Sequence, residues 1–166
     1  MEFTRRISQL LHEDHAATIA LIEAQENMIA AARTTPPDAS DPRTRKTLES
    51  TAALIDHEVR HHFTFEEDEL FTRLEEAGDV GIGMHLREEH AAILPLGERV
   101  GALAAAALEK GFDSASWAEF RNNAGELIER MLAHIQKEEM ALLPILDDLL
   151  DGETDMELSE LFAAES

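Results

Sequence analysis

Two histidine–glutamate pairs have members four residues apart, His62 with Glu66 and His134 with Glu138. In a helix, residues i and i+4 lie one turn apart on nearly the same side. An imidazole and a carboxylate placed in this way can both ligate metal in one interior cavity. A carboxylate also has two oxygens, so it can bridge two ions. The two pairs are therefore candidate metal ligands.

An internal repeat adds two more histidines to this set. Residues 13–17 (EDHAA) resemble residues 88–92 (EEHAA), and residues 62–67 (HFTFEE) resemble residues 134–139 (HIQKEE). The chain thus looks like two copies of one helical hairpin, each with a lone histidine on its first helix and His-x-x-x-Glu on its second. The predicted metal ligands are His15, His62, Glu66, His90, His134 and Glu138.

The setting of these residues favours two metal ions. Each histidine lies near the middle of an apolar stripe with helical period, which is typical of a buried face. Burying two unpaired carboxylates costs several kcal/mol each, and cations are the natural compensation. We therefore predict a dinuclear site with two terminal histidines per ion and both glutamates as bridges. No catalytic residue is assigned.

The ligand chemistry narrows the choice of metal. The chain has no cysteine, which excludes iron–sulfur ligation by its own thiolates. A mixture of imidazole and carboxylate fits iron or manganese, and it also permits zinc or copper.

Helix-breaking residues divide the chain into four long helical segments, at about residues 4–33, 42–78, 84–110 and 113–150. Asp41-Pro42 reads as an N-cap followed by a first-turn proline, and Gly78 as a C′ glycine. The fourth helix begins near Asp113 or Ser116, and Ser116 to Glu119 matches a capping box. We predict an all-α, antiparallel, up-down-up-down four-helix bundle over residues 1–150. Residues 151–166 form an acidic tail that is loose or partly helical.

The composition excludes some classes of partner. The 166-residue chain has 14 basic and 35 acidic residues, a net charge of −21. This charge repels nucleic acid and anionic lipid. Apolar runs such as residues 102–108 are shorter than the ~20 residues of a membrane span. Charges interrupt the N-terminal segment before a secretory apolar region forms, so we expect a cytoplasmic location.

Three stretches resemble the hemerythrin-like, or HHE cation-binding, family. They are Glu89-His90-Ala91-Ala92-Ile93, His62-Phe63-x-x-Glu66-Glu67 and His134-x-x-x-Glu138-Glu139-x-x-Leu142-x-Pro144. The resemblance extends roughly from His12 to Leu146. It implies a non-haem di-iron centre bridged by the two carboxylates and an oxo or hydroxo group. It also implies binding of dioxygen, nitric oxide or peroxide at an open iron position.

The third helix departs from the oxygen-carrying members of that family. Those proteins place a second histidine four residues before the first, where this chain has Leu86, and His85 lies about 140° from His90 around the helix. The pattern is nearer the branch with four histidines and two glutamates. That branch includes di-iron proteins proposed to repair iron centres after nitrosative stress, which carry an additional cysteine-bearing N-terminal region. This chain has no cysteine.

Three functions remain open from the sequence. The leading one is a binding protein for a small molecule such as dioxygen or nitric oxide, used in sensing, storage or scavenging. The second is a di-iron enzyme, such as an oxidase, peroxidase or nitric oxide reductase, or an iron-handling protein. The third is a bundle in which metal serves folding alone. No second substrate pocket can be read from the sequence, which favours binding over enzymatic activity.

The other histidines are assigned mainly to the surface or to positions behind the ligands, with an extra ligand role left open. They are His12, His57, His61 and His85. Asp14 and Glu89 are acidic residues that could orient a ligating imidazole, although exposed acidic residues are common in this chain.

Overall fold

The computed structural model describes residues 2–165, apart from the side chains of His57, Glu58 and Glu165. Within this range the chain is helical and contains no strand. The five helices are α1 (Arg6–Ala32), α2 (residues 42–76), α3 (Val80–Lys110), α4 (residues 114–149) and α5 (Gly152–Glu165). The all-α bundle predicted from the sequence is confirmed.

The ends of the helices follow mostly from the predicted signals. Asp41 caps α2 by accepting a hydrogen bond from the Thr44 amide at 3.2 Å, and Pro42 occupies the first turn. Gly78 follows α2 with φ +100°, a conformation that favours glycine.

One predicted helix start is wrong. Helix α3 begins at Val80, before Gly83, because two glycines do not prevent a helix whose remaining residues pack well. Of the two starts predicted for α4, the one near Asp113 is confirmed. The capping box joins Asp113 to Ser116, so Ser116 is the third helical residue and not the N-cap that the pattern from Ser116 to Glu119 indicated.

Helices α1 to α4 form a closed, antiparallel ring in which each packs against the next and α4 returns to α1. Two residue pairs show the opposite directions of the facing helices α2 and α3. Arg60 pairs with Glu98, whereas Glu67, which lies later in α2, is near Arg87, which lies earlier in α3.

Gly97 on α3 permits the close approach of α2. An added Cβ at this position would lie 2.7 Å from Ile55 Cδ1.

The apolar side chains form two clusters, one in each half of the bundle. One cluster includes Ile22, Ile93 and Phe120, and the other includes Leu11 and Leu86. Along α1 and α3, the predicted ligand lies between a residue of one cluster and a residue of the other. The bundle therefore holds a polar layer between two apolar regions.

Helix α5 packs on α1 and completes the second cluster with Leu158 and Phe162. Asp155 accepts hydrogen bonds from the backbone amides of Arg6 and Ile7, both at 2.9 Å. These amides belong to the first turn of α1 and have no partner within their own helix. The acidic C-terminal segment thus supplies the missing acceptor.

By length and composition alone, α3 is long and apolar enough to cross a membrane. The sequence predicted no membrane span, because its uninterrupted apolar runs are shorter than one. Core helices of water-soluble proteins meet the same criterion, and α3 packs between α2 and α4. One helix of this kind is weak evidence for a membrane span.

The anchoring of α1 by α5 can be tested with Asp155→Ala. We expect the free energy of unfolding to fall by about 1–3 kcal/mol, because two amides lose their acceptor. Urea denaturation measures the change, and Asp148→Ala, at an exposed position on α4, is the control. Equal stability of the two variants would show that Asp155 does not anchor α1.

Candidate metal centre

The structure brings all six predicted ligands into the polar layer between the apolar clusters. Helix α1 contributes one histidine and α3 another, whereas α2 and α4 each contribute a histidine and a glutamate. Every one of these residues is buried, with at most 7% of its surface exposed. The six are His15, His62, Glu66, His90, His134 and Glu138.

The histidines direct their Nε2 atoms toward the two carboxylates. Glu138 Oε1 lies 3.0 Å from His15 Nε2 and 3.3 Å from His134 Nε2. The two oxygens of Glu66 face different helices, with Oε2 3.3 Å from His62 Nε2 and Oε1 3.3 Å from His90 Nε2. Each glutamate therefore lies between two imidazoles, as a bridging ligand must.

These atoms form two overlapping groups that could each hold a metal ion. One contains Glu66, His90, His134 and Glu138, and the other contains His15, His62 and Glu138. Ligand atoms within each group lie within 4.8 Å of one another. Glu138 belongs to both groups, which is the arrangement expected of two neighbouring ions that share a ligand.

Local widening of the helices coincides with both glutamates. A π-helical segment begins at Glu66 in α2 (Glu66–Phe71), and another begins at Glu138 in α4 (Glu138–Leu142). Such segments are rare and frequently occur at functional sites. These two segments occupy equivalent positions in the two hairpins, whereas a further π-helical segment, Leu54–Val59 in α2, has no counterpart in the described part of α4. The sequence patterns did not predict them.

Several buried atoms of the site lack hydrogen-bond partners, and a metal would satisfy them. Both oxygens of Glu66, Oε2 of Glu138 and Nε2 of His62 have none. Buried carboxylate oxygens are normally paired, since leaving them unpaired is costly. Imidazole nitrogen and carboxylate oxygen are also a good donor set for iron. The residues present therefore fit a metal centre.

Without metal, protons partly compensate the buried negative charge. Burial and the charge of Glu138 raise the pKa of Glu66 well above its usual value. Although burial lowers the pKa of His15, the adjacent carboxylates of Glu138 and Glu139 outweigh this effect and raise it to about 9. Burial and the charge of His134 lower the pKa of His90 to about 3. A metal ion would have to displace the proton on His15.

The outward-facing Nδ1 atoms of the four histidines each lie near a further carboxylate. His62 Nδ1 donates to Asp14 at 3.3 Å, and His134 Nδ1 donates to Glu89 at 2.9 Å. The sequence singled out these two acidic residues, but it missed Glu67 beside His90 and Glu139 beside His15. The second glutamate in each copy of the repeated motif was the available signal.

None of the other described histidines belongs to either group of candidate ligands. His12 contacts Glu139, His85 contacts Lys137 and Glu89, and His61 stacks on Phe162. The side chain of His57 lies outside the described residues.

Leu86 occupies the turn of α3 before His90, and it is buried in the apolar cluster. His85 is half exposed instead. The described part of the site therefore offers one histidine from α3, and apolar side chains fill the place of a second.

The family model described as the hemerythrin HHE cation-binding domain matches residues 6–146. The chain belongs to this hemerythrin family. No curated protein matches the chain. The segment that matches the family model contains all six candidate metal ligands, whereas helix α5 lies beyond this segment.

The choice of ligand face on α2 can be tested with His62→Ala. This variant should lose at least one metal ion per chain, because His62 Nε2 faces Glu66 inside the layer. Asp68→Ala is the control, since this exposed residue of α2 belongs to neither candidate group. Elemental analysis of both variants decides the question, and equal metal content would show that the assigned face is wrong.

Because the metal-free site binds protons, the stability of the metal-free protein should depend on pH. The pKa of His15 is raised to about 9, so its ion pair stabilises the metal-free protein fully below about pH 6.5. That contribution is lost as pH rises through about 9. The raised pKa of Glu66 acts in the same direction, because the folded protein holds a proton that the unfolded chain releases. Metal requires deprotonated ligands.

We therefore expect the melting temperature of metal-loaded protein to exceed that of metal-free protein at neutral pH. The difference should widen between pH 6.5 and 9 and narrow toward acid. At a thousandfold excess over Kd, metal stabilises by roughly 4 kcal/mol. Thermal melts with and without metal measure the difference. A difference that shrinks as pH rises through this window would contradict the assigned proton states.

Proposed function

We propose that this chain is a non-haem di-iron protein that binds dioxygen, or a related small molecule such as nitric oxide or peroxide, for sensing, storage or scavenging. Family membership and the His/Glu cluster support a metal cofactor. The two groups that share Glu138 support two ions, and the sulfur-free ligand set supports iron, with manganese or zinc as the other candidates.

The observation that carries the small-molecule proposal is a cavity of about 20 Å³ beside the candidate ligands. Its polar wall includes His15, His62, His134 and Glu138, but neither Glu66 nor His90. A space of this size holds about one water molecule. A diatomic molecule is small enough for such a space.

The rest of the cavity wall is mostly apolar, with Val59, Phe63, Met131 and Ile135. On the opposite side, the cluster that contains Leu86 closes the layer. The chain's own residues would therefore admit a small molecule from one side, exclude bulk water and hold the imidazoles in place. Bound iron would supply the redox-active position to which the small molecule coordinates.

Protein expressed with adequate iron should contain two iron ions per chain, because two candidate groups are present. Elemental analysis after purification without chelator measures this ratio. Only trace metal would overturn the metal centre, and zinc alone would overturn the choice of iron.

The small-molecule function is tested by loading the protein with Fe(II) without oxygen and then adding dioxygen or nitric oxide. We expect a reversible change in the absorption spectrum. Steady turnover with excess reductant would favour the enzyme instead, and no response would favour a structural role.

The role of the cavity is tested with Val59→Ile, which adds one methylene to its wall. We expect a slower spectral change with unchanged iron content. Val100→Ile is the matched control, because Val100 is buried in the same apolar cluster but does not line the cavity. Equal rates in both variants would show that the small molecule does not pass through this cavity.

A further inference from the structure

Four acidic residues next to candidate ligands in the sequence contact a different candidate ligand in space. Asp14 and Glu89 precede His15 and His90, and Glu67 and Glu139 follow Glu66 and Glu138. The carboxylate-to-Nδ1 distances are 3.3 Å for Asp14–His62, 3.4 Å for Glu67–His90, 2.9 Å for Glu89–His134 and 3.4 Å for Glu139–His15.

These contacts run in one direction around the bundle. The carboxylate of α1 supports the histidine of α2, that of α2 supports α3, and that of α3 supports α4. The carboxylate of α4 then supports the histidine of α1, so the series closes. Each helix therefore provides one imidazole and holds the imidazole of the next helix.

We propose that Asp14, Glu67, Glu89 and Glu139 form a closed ring of positioning residues that turns all four Nε2 atoms toward the metal layer. This carboxylate ring rests on the proposed metal site. A carboxylate that accepts a hydrogen bond from Nδ1–H fixes both the orientation and the tautomer of a metal-binding imidazole. The ring extends this effect to every histidine of the site.

The four contacts of the carboxylate ring are not equivalent. Within each hairpin, Asp14 and Glu89 accept hydrogen bonds from His62 and His134. Between the hairpins, Nδ1 of His15 and Nδ1 of His90 lie 3.4 Å from their carboxylates and make no hydrogen bond. The contacts between hairpins are therefore the ones that metal binding would tighten.

Outer side chains hold three of the ring carboxylates in place. Lys137 and His85 contact Glu89, and His12 contacts Glu139. Arg87 donates to the backbone oxygen of Glu67, and its guanidinium lies 3.9 Å from the carboxylate. These contacts give His12 and His85 a defined place behind the candidate ligands.

Neighbouring acidic residues show that the arrangement is specific. Glu13 and Glu88 occupy equivalent positions in the repeat, one residue before Asp14 and Glu89. Both are exposed, and neither contacts a candidate ligand in the described part of the chain. Proximity in sequence therefore does not by itself place a carboxylate in the ring, and these two residues serve as matched controls.

The experiment measures the Co(II) affinity of Glu67→Ala and Glu139→Ala by competition with a chelator, beside Glu13→Ala and Glu88→Ala. We expect the ring variants to bind about 10–100-fold more weakly, with an altered Co(II) absorption spectrum. The metal-free melting temperature of Glu67→Ala should match those of the controls, because Glu67 makes no hydrogen bond to His90 without metal. That of Glu139→Ala should fall, because Glu139 also contacts His12 and the protonated His15. Glu139→Gln, which keeps an acceptor oxygen, should recover part of the affinity.

The outcomes separate the ring from the metal site on which it rests. Wild-type protein that takes up no metal would overturn both the proposed function and the ring. Metal binding by wild type, with unchanged affinity and spectrum in Glu67→Ala and Glu139→Ala, would overturn the ring alone. Lower affinity of Glu67→Ala that is matched by a lower metal-free melting temperature would also overturn it, since this residue would then act through general stability.

Discussion

The structure depends on the burial of two carboxylates, Glu66 and Glu138, in one layer of the bundle. Each lies almost completely out of contact with water, and together they leave three oxygens without a hydrogen-bond partner. Such a layer needs positive charge, which protons supply only in part because the pKa of His90 is lowered to about 3. We propose that metal ions shared between the carboxylates provide the missing charge, and that the surrounding residues position the ligands for them.

The arrangement of the helices follows from this need. Two apolar clusters stabilise the bundle on either side of the polar layer and keep water from it. Four helices packed in a closed ring can each present a histidine to the centre while supporting the histidine of a neighbour. Helix α5 adds Phe162 against the edge of His62, so a segment outside the matched family domain also contributes to the surroundings of the site.

The sequence predicted the helices and the residues that meet in the centre because both depend on local periodicity. A histidine on an apolar helical stripe must face inward, and the repeat of His-x-x-x-Glu shows which histidines belong together. The positions of Glu67 and Glu139 depend on contacts between hairpins, which spacing within one helix does not determine. The start of α3 and the packing of α5 depend on tertiary burial, and the π-helical segments leave no recognised pattern in the residues.

We propose that the polar layer holds two metal ions that share Glu138. Anomalous X-ray scattering at the iron absorption edge, from crystals of the iron-loaded protein, would locate these ions. We expect two peaks in the layer, one beside His90 and His134 and the other beside His15 and His62, with Glu138 in contact with both. A single peak in the layer, or iron bound only at the acidic surface, would contradict it.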